Sequence, residues 1–255
     1  MTEGTGGGAA AVDGRVVVVT GGAQGIGLAI CRRLAAEGSR VVVLDRNEEG
    51  AIAAAESLPR RGFGYGCDVA DQAGVDTVAA RVRSEVGPVE ALVSNAGIGS
   101  HATFAETTPE LQRRLVDVNM HGAFNVTRAF MDDIVDSGSG RIVFISSDAA
   151  RVGVAGEAVY AAAKAGLIAF AKSLAVELAR YRVTVNAVCP GSTNTEMFRG
   201  TYDEEQIAKR MRIHPMRRPA EADEVATAVQ YFASRDASFT TAQVISVSGG
   251  MSRVG

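Results

Sequence analysis

Lysine is scarce in this chain: only three of its 26 basic residues are lysines, Lys164, Lys172 and Lys209. Any lysine inside a motif is therefore informative. Cysteine is scarce too. Cys31, Cys67 and Cys189 are far apart and form no C-x-x-C pair, which argues against a disulfide framework and suits a reducing compartment, so a cytoplasmic protein is expected. No metal site is expected. Charge of one sign is also missing. With 29 acidic residues the net charge is −3, and the scattered arginines form no basic stripe of the kind nucleic acid requires. No run of 18 apolar residues occurs, so no membrane span is expected. The first twelve residues, Met1 to Val12, are rich in glycine and alanine without a basic start or a following apolar region; they read as a floppy tail rather than a signal peptide. What is present, 47% hydrophobic and 22% charged residues over a length of 255, excludes disorder, collagen and coiled coil and suffices for one large α/β domain or two small ones.

From Arg15 onward, short β-branched runs alternate with longer helical patterns, which implies a parallel sheet covered by helices on both faces. The expected strands are Val16–Val19, Arg40–Leu44, Gly64–Cys67, Ala91–Ser94, Arg141–Ile145, Val183–Val188 and Gln243–Val247. Apolar residues at helical spacing lie between them, as in Ile26, Ile30 and Leu34, and in Leu111, Leu115 and Val118. Thr108-Pro109-Glu110 supplies an N-cap, a first-turn proline and a favourable acid for that fourth helix. Seven strands and about six helices without a linker give one domain over residues 13–255. Two stretches stand apart. Ala158 to Ala179 holds nine alanines and three charged residues, a helix apolar nearly all round that should be buried under the sheet or against another subunit. The segment from Pro190 to Pro219 is long for a connection and reads as a mobile lid around residues 192–218, or as a carrier of short helices.

Directly after the first strand comes Thr20-Gly21-Gly22-Ala23-Gln24-Gly25-Ile26-Gly27. Glycines at 21, 25 and 27 allow a tight turn, close approach to a pyrophosphate and close helix packing, and the helix N-terminus offers free N–H groups to the phosphates. The second strand ends in Asp45, whose carboxylate can accept the ribose hydroxyls of NAD and repel the extra phosphate of NADP. Arg46 follows and argues the other way; the strand-end position of Asp45 favours NAD.

Tyr160 and Lys164 stand four apart on one helix face. Ser147 lies at the end of the fifth strand, and Asn119 interrupts an apolar helical stretch. Together they fall at the carboxyl ends of strands, where open α/β sheets bind ligands.

With the Gly21–Gly27 turn, Cys67-Asp68-Val69, Asn95-Ala96-Gly97, Asn119, Ser147, Tyr160-x-x-x-Lys164 and Pro190-Gly191, the chain resembles the short-chain dehydrogenase/reductase family, in its compact single-domain branch, from Gly14 to about Met251. The resemblance implies a Rossmann-type doubly wound sheet and a hydride-transferring enzyme. In the oxidative direction Tyr160 would be the general base that removes the alcohol proton, with Lys164 and the cofactor's positive nicotinamide favouring its phenolate. Lys164 would hold the nicotinamide ribose, Ser147 would orient the oxygen, and Asn119 would hold a relay water. Gly21, Gln24, Gly25, Ile26, Gly27, Asp45, Arg46, Cys67, Asp68, Val69, Asn95, Ala96, Gly97, Pro190, Gly191, Thr193 and Thr195 would surround the cofactor. Ser147, Ala149, Val154, Glu157 and Met197 would face the substrate. Three positions depart from the family's habits: Thr193 where an aliphatic residue is usual, Arg217 where glycine is common, and Ser248 where aspartate is usual.

Within the family, Ser147–Gly153, Gly156–Ala162 and Gln243–Gly250 resemble the 2-hydroxycyclohexanecarboxyl-CoA dehydrogenases. This implies NAD-linked oxidation of a β-hydroxyacyl-CoA, with 3-oxoacyl-thioester reduction, another secondary alcohol, or a catalytically silent dinucleotide sensor as alternatives. The lid arginines would then meet CoA phosphates, unless they form a solvated face. The small-sided helix and the glycine-rich C-terminus imply a homotetramer.

Overall fold

The computed structural model describes residues 14–253; the glycine-rich N-terminal tail lies outside them. The valine-rich runs form seven strands, β1 (Val16–Thr20), β2 (Arg40–Asp45), β3 (Phe63–Gly66), β4 (Ala91–Ser94), β5 (Arg141–Ile145), β6 (Thr184–Pro190) and β7 (Val244–Val247). All pair in parallel, in the order β3-β2-β1-β4-β5-β6-β7. The helices are α1 (Gly25–Ala36), α2 (Glu48–Glu56), α3 (Gln72–Glu85), α4 (Pro109–Val116), α5 (Gly122–Asp136), α6 (Ala149–Val152), α7 (Ala158–Leu178), α8 (Glu196–Thr201), α9 (Glu204–Ile213) and α10 (Ala222–Ala233).

Successive strand residues face opposite sides of the sheet, so each valine run feeds two cores. Val16, Val18, Val42 and Leu92 pack under α3, α5 and α7 together with Phe130, Phe144 and Leu167. Val17, Val19, Val41 and Val43 pack under α1, α2 and α10 with Ile30, Leu34 and Val229. Burial on both faces is why these strands read as unbroken apolar runs.

The chain runs outward from β1 to β3 and returns to place β4 on the other side of β1. That reversal opens a crevice beyond the carboxyl ends of β1 and β4, where ligands of such sheets bind. Side chains tie its floor together. The Thr20 hydroxyl accepts from the backbone N–H of Asn95 and of Ala96, each at 3.0 Å. Asn95 returns its amide to the carbonyls of Thr20 and Gly21 at 2.9 and 3.0 Å.

The structure corrects several expectations. Helices are more numerous than six, because the 190–219 connection carries α8 and α9 and a single turn, α6, follows Ser147. The expected fourth helix is divided by a π-turn over Asp117–His121. Its cause is Asn119, whose side-chain amide donates to the carbonyls of Leu115 and Ile98, both at 2.9 Å, so that a side chain competes with the helical backbone ladder. Strand β3 begins at Phe63 and stops before Cys67, whereas β6 continues to Pro190.

Helix α7 is buried on one side only. Lys164, Leu167, Ala171, Leu174 and Leu178 pack inward, whereas Ala162, Ala169, Ser173 and Val176 are exposed. By length and composition this helix, continued to Tyr181, is apolar enough to cross a membrane, with a mean hydropathy of 1.4. The three spaced charges hid this from a search for an unbroken apolar run, and its inward face belongs to the core of the sheet.

Arg217 adopts φ 58°, the left-handed region in which a side chain is strained and glycine is not. That is the physical content of its departure from the family's glycine. Arg217→Gly should therefore stabilise the fold by about 1 kcal/mol, raising Tm by roughly 2–4 °C in thermal denaturation. An unchanged or lower Tm would count against strain at this position.

Candidate active site

The crevice is a cleft of about 820 Å³. Its inner end is the turn from β1 into α1. Gly21 and Gly25 have φ 63° and 55°, and a Cβ on Gly27 would lie 2.0 Å from the carbonyl oxygen of Gly21. Any side chain at Gly27 would push the turn open. The N-cap residue Gln24 makes no side-chain capping bond, which leaves the first N–H groups of α1 facing the cleft, the arrangement that binds phosphate. At the end of β2, Asp45 accepts from the backbone N–H of Ala23 at 3.2 Å and of Asn47 at 3.0 Å. These bonds fix the carboxylate on the cleft wall, with lone pairs left for ribose hydroxyls. Turn, open helix end and carboxylate fit a dinucleotide cofactor.

The other end is built from β4, β5 and α7. The Tyr160 phenol is hydrogen-bonded to Ser147. Lys164, one turn further on, is 3% exposed. Its Nζ donates to the Ile145 carbonyl at 2.9 Å and lies 5.9 Å from the centre of the Tyr160 ring. The Ser146 hydroxyl donates to the Lys164 carbonyl at 2.8 Å, anchoring α7 to the end of β5. Asn119 closes the set from behind: its Oδ1 accepts from the Ile98 N–H at 3.2 Å. A Cβ on Gly97 would sit 2.7 Å from that Oδ1 and 3.0 Å from Lys164 Nζ, so Gly97 is the gap that lets the two polar groups approach.

Burial sets the acidities. It pushes the Tyr160 phenol up to about 12, against the Ser147 hydrogen bond, which lowers it, and with Glu157 adding to the rise. It pulls Lys164 down to about 8. The expected phenolate at Tyr160 is thus not what the chain's own groups produce. A desolvated phenol keeps its proton when the neighbouring ammonium is directed at a carbonyl.

Of the residues expected in the site, all line the cleft except Asn119, which is 1% exposed and lies behind Gly97 and Ile98. Thr193, at the position that is usually aliphatic in the family, donates its hydroxyl to the Gly191 carbonyl at 3.0 Å. Of the two readings of the lid arginines, the structure favours the solvated face. Arg199 donates to Asn194 at 2.8 Å, Arg218 pairs with Glu224 at 2.6 Å, and Arg217 donates to the Arg212 carbonyl. Among the six cationic residues of that segment only Arg210 lines the cleft. Arg151, just after Ser147 in sequence, donates to the Ser246 hydroxyl at 2.9 Å and does not line the cleft. Sequence reasoning missed Val152, Phe198, Tyr202 and Met251 on the substrate side, and Arg113 and Arg114 on the rim. Their places depend on how the lid and α4 fold back, for which the sequence offers no local signal.

A family profile described as short chain dehydrogenase matches residues 15–206. The chain is 43% identical over 237 residues to the 3-oxoacyl-[acyl-carrier-protein] reductase MabA of Mycobacterium avium, covering 93% of this chain and 89% of that protein. It is 37% identical over 239 residues to the 3-oxoacyl-[acyl-carrier-protein] reductase FabG of Escherichia coli K12, covering 94% and 98%. Among solved structures, a variant of actinorhodin polyketide ketoreductase with NADPH superposes with a TM-score of 0.90 at 37% identity, covering 94% of this chain and 98% of that one. Levodione reductase superposes with a TM-score of 0.89 at 30% identity, covering 92% and 96%. The cleft, the parallel sheet and these relatives agree: the chain belongs to the short-chain dehydrogenase/reductase family, nicotinamide-dependent oxidoreductases acting on CH–OH groups.

Proposed function

We propose that this enzyme reduces 3-oxoacyl thioesters to 3-hydroxyacyl thioesters with NADH. The observation that carries the reading is the meeting of Ser147 and Tyr160 at the foot of an open cleft, where a carbonyl oxygen can be held and protonated; the relatives named as reductases support the direction. The relatives named as 3-oxoacyl reductases support the thioester. They move the reading from oxidation of an alicyclic hydroxyacyl-CoA to its chemical reverse on a 3-oxoacyl group. With the lid's cations mostly paired or turned outward, recognition of CoA phosphates loses its main support.

In this mechanism Ser147 donates a hydrogen bond to the substrate carbonyl oxygen and fixes its position. Tyr160 then delivers its proton to that oxygen as negative charge develops there. Lys164, charged below about pH 8, stabilises the phenolate left behind and would hold the nicotinamide ribose. Asn119, braced by Ile98 and Leu115, would seat the water that returns a proton through Lys164. A bound reduced nicotinamide supplies the hydride. Val152, Val154, Met197, Phe198 and Met251 give the substrate side an apolar wall suited to an acyl chain. Asp45 supports NADH over NADPH, by accepting ribose hydroxyls and repelling a phosphate.

The test is loss of NADH absorbance with linear and cyclic 3-oxoacyl-CoAs, set against simple ketones and against NADPH. Reduction of simple ketones without any thioester would sink the substrate assignment, and a lower KM for NADPH would sink the role given to Asp45. The small exposed residues of α7, Ala162, Ala169 and Ser173, permit close helix–helix approach and support a homotetramer. Light scattering should give four times the chain mass, and a monomer would refute it. Three free, buried thiols support residence in the reducing cytoplasm.

A further inference from the structure

Helices α8 and α9 bury none of their residues, yet Tyr202, between them, is only 8% exposed. Its hydroxyl donates to Glu157 Oε1 at 2.9 Å and accepts from Arg210 Nη2 at 2.7 Å. The Arg210 guanidinium lies over the Tyr202 ring at 3.9 Å from its centre, and His101 meets that ring edge-on at 5.3 Å. Glu157 is the N-cap residue of α7, three residues before Tyr160. His101 fills the space beside Gly156, where a Cβ would lie 2.8 Å from the imidazole, and Ala102 N–H donates to the Gly156 carbonyl at 2.9 Å. One tyrosine therefore joins α8, α9, the loop after β4 and the start of the catalytic helix.

We propose that Tyr202 is a clasp: its hydrogen bond to Glu157 and its stacking against Arg210 hold the α8–α9 segment over the cleft from a point on the catalytic helix itself. Tyr202 is on this reading a positioning residue, setting the distal wall against which substrate is held. A hydroxyl donating to a carboxylate is among the stronger neutral-to-charged hydrogen bonds. Burial and the Glu157 carboxylate push the Tyr202 phenol up to about 12, so it keeps the proton that it donates. A stacked guanidinium adds attraction without displacing that bond.

The test is amide hydrogen exchange on the full chain without substrate, which succeeds or fails independently of the reduction proposed above. Tyr202→Phe keeps the ring and removes both hydroxyl bonds; exchange across residues 196–213 should rise about tenfold, with α1 and β5 unchanged. Glu157→Ala, which removes one of the two, should raise it in the same segment by a smaller factor, Glu157→Gln should retain protection because the amide oxygen still accepts, and the Tyr202→Phe/Glu157→Ala pair should be no worse than Tyr202→Phe alone. Kinetically, Tyr202→Phe should raise KM for the thioester by a larger factor than it lowers kcat; this arm rests on the proposed activity. Unchanged exchange at 196–213, an equal rise in the core, or additive effects in the double variant would each overturn the clasp.

Discussion

Replacing Tyr160 with phenylalanine should lower kcat for ketone reduction by about 10³-fold, within the range general acid–base groups contribute, while dinucleotide affinity stays within about threefold. The substitution removes one oxygen and leaves the ring, so the packing of α7 on β5 persists. What is lost is the proton to be passed to the substrate oxygen, that of the phenol beside Ser147, which burial keeps protonated. Phosphate and adenine-ribose contacts would rest on the Gly21–Gly27 turn and on Asp45, at the other end of the cleft. Fluorescence titration with NADH reports that end, and single-turnover reduction reports Tyr160. Near-normal kcat in the variant would remove Tyr160 from the proton-donor role. Failure of NADH binding would show instead that the two ends are not independent. A catalytically silent dinucleotide sensor, the other use of such a fold, would show NADH binding in both proteins and turnover in neither.

How much of this was legible beforehand differs between the sheet and the site. Runs such as Val16–Val19 and Arg40–Leu44 announce strands because both sheet faces are buried, and the glycines of the first turn announce themselves because each answers a local backbone demand. Tyr160 and Lys164 share a face through helical spacing alone. Other features depend on partners far away in sequence. The π-turn at Asn119 exists because Ile98, 21 residues earlier, offers both a carbonyl and an N–H. Tyr202 is buried among partners distant in sequence, Glu157, 45 residues earlier, and His101. Tyr160 was expected to be made more acidic by Lys164 together with a positive nicotinamide; in the chain alone Lys164 Nζ points toward Ile145 and desolvation raises the phenol instead. The lid's charges leave two readings open in sequence, a phosphate patch and a solvated mixed-charge face, because pairing with Asn194 and Glu224 cannot be seen there.

Lys164→Arg should cost about 10²- to 10³-fold in kcat/KM for reduction and should also change the shape of the pH profile, since arginine does not deprotonate in this range. The loss has a steric origin. Nζ is enclosed between the Ile145 carbonyl at 2.9 Å and the space beside Gly97, where an added carbon would come within 3.0 Å of it. A planar guanidinium in that space must displace Asn119 or Gly97. The pH dependence follows from burial, which favours the neutral amine and pulls Lys164 down to about 8. Below that pH the ammonium is present and stabilises the phenolate that Tyr160 becomes when it gives its proton away. Above it the amine is neutral and Tyr160 is a poorer acid. Wild-type kcat/KM should accordingly be level on the acidic side and fall as pH rises through about 8. The arginine variant, permanently charged, should be slow but level over the same range, and Lys164→Met should be slow and level for the opposite reason. If the arginine variant retains the wild-type fall above pH 8, the titrating group is not Lys164. In a chain that uses arginine for nearly all its positive charge, this position keeps lysine because a compact ammonium fits there and a guanidinium does not.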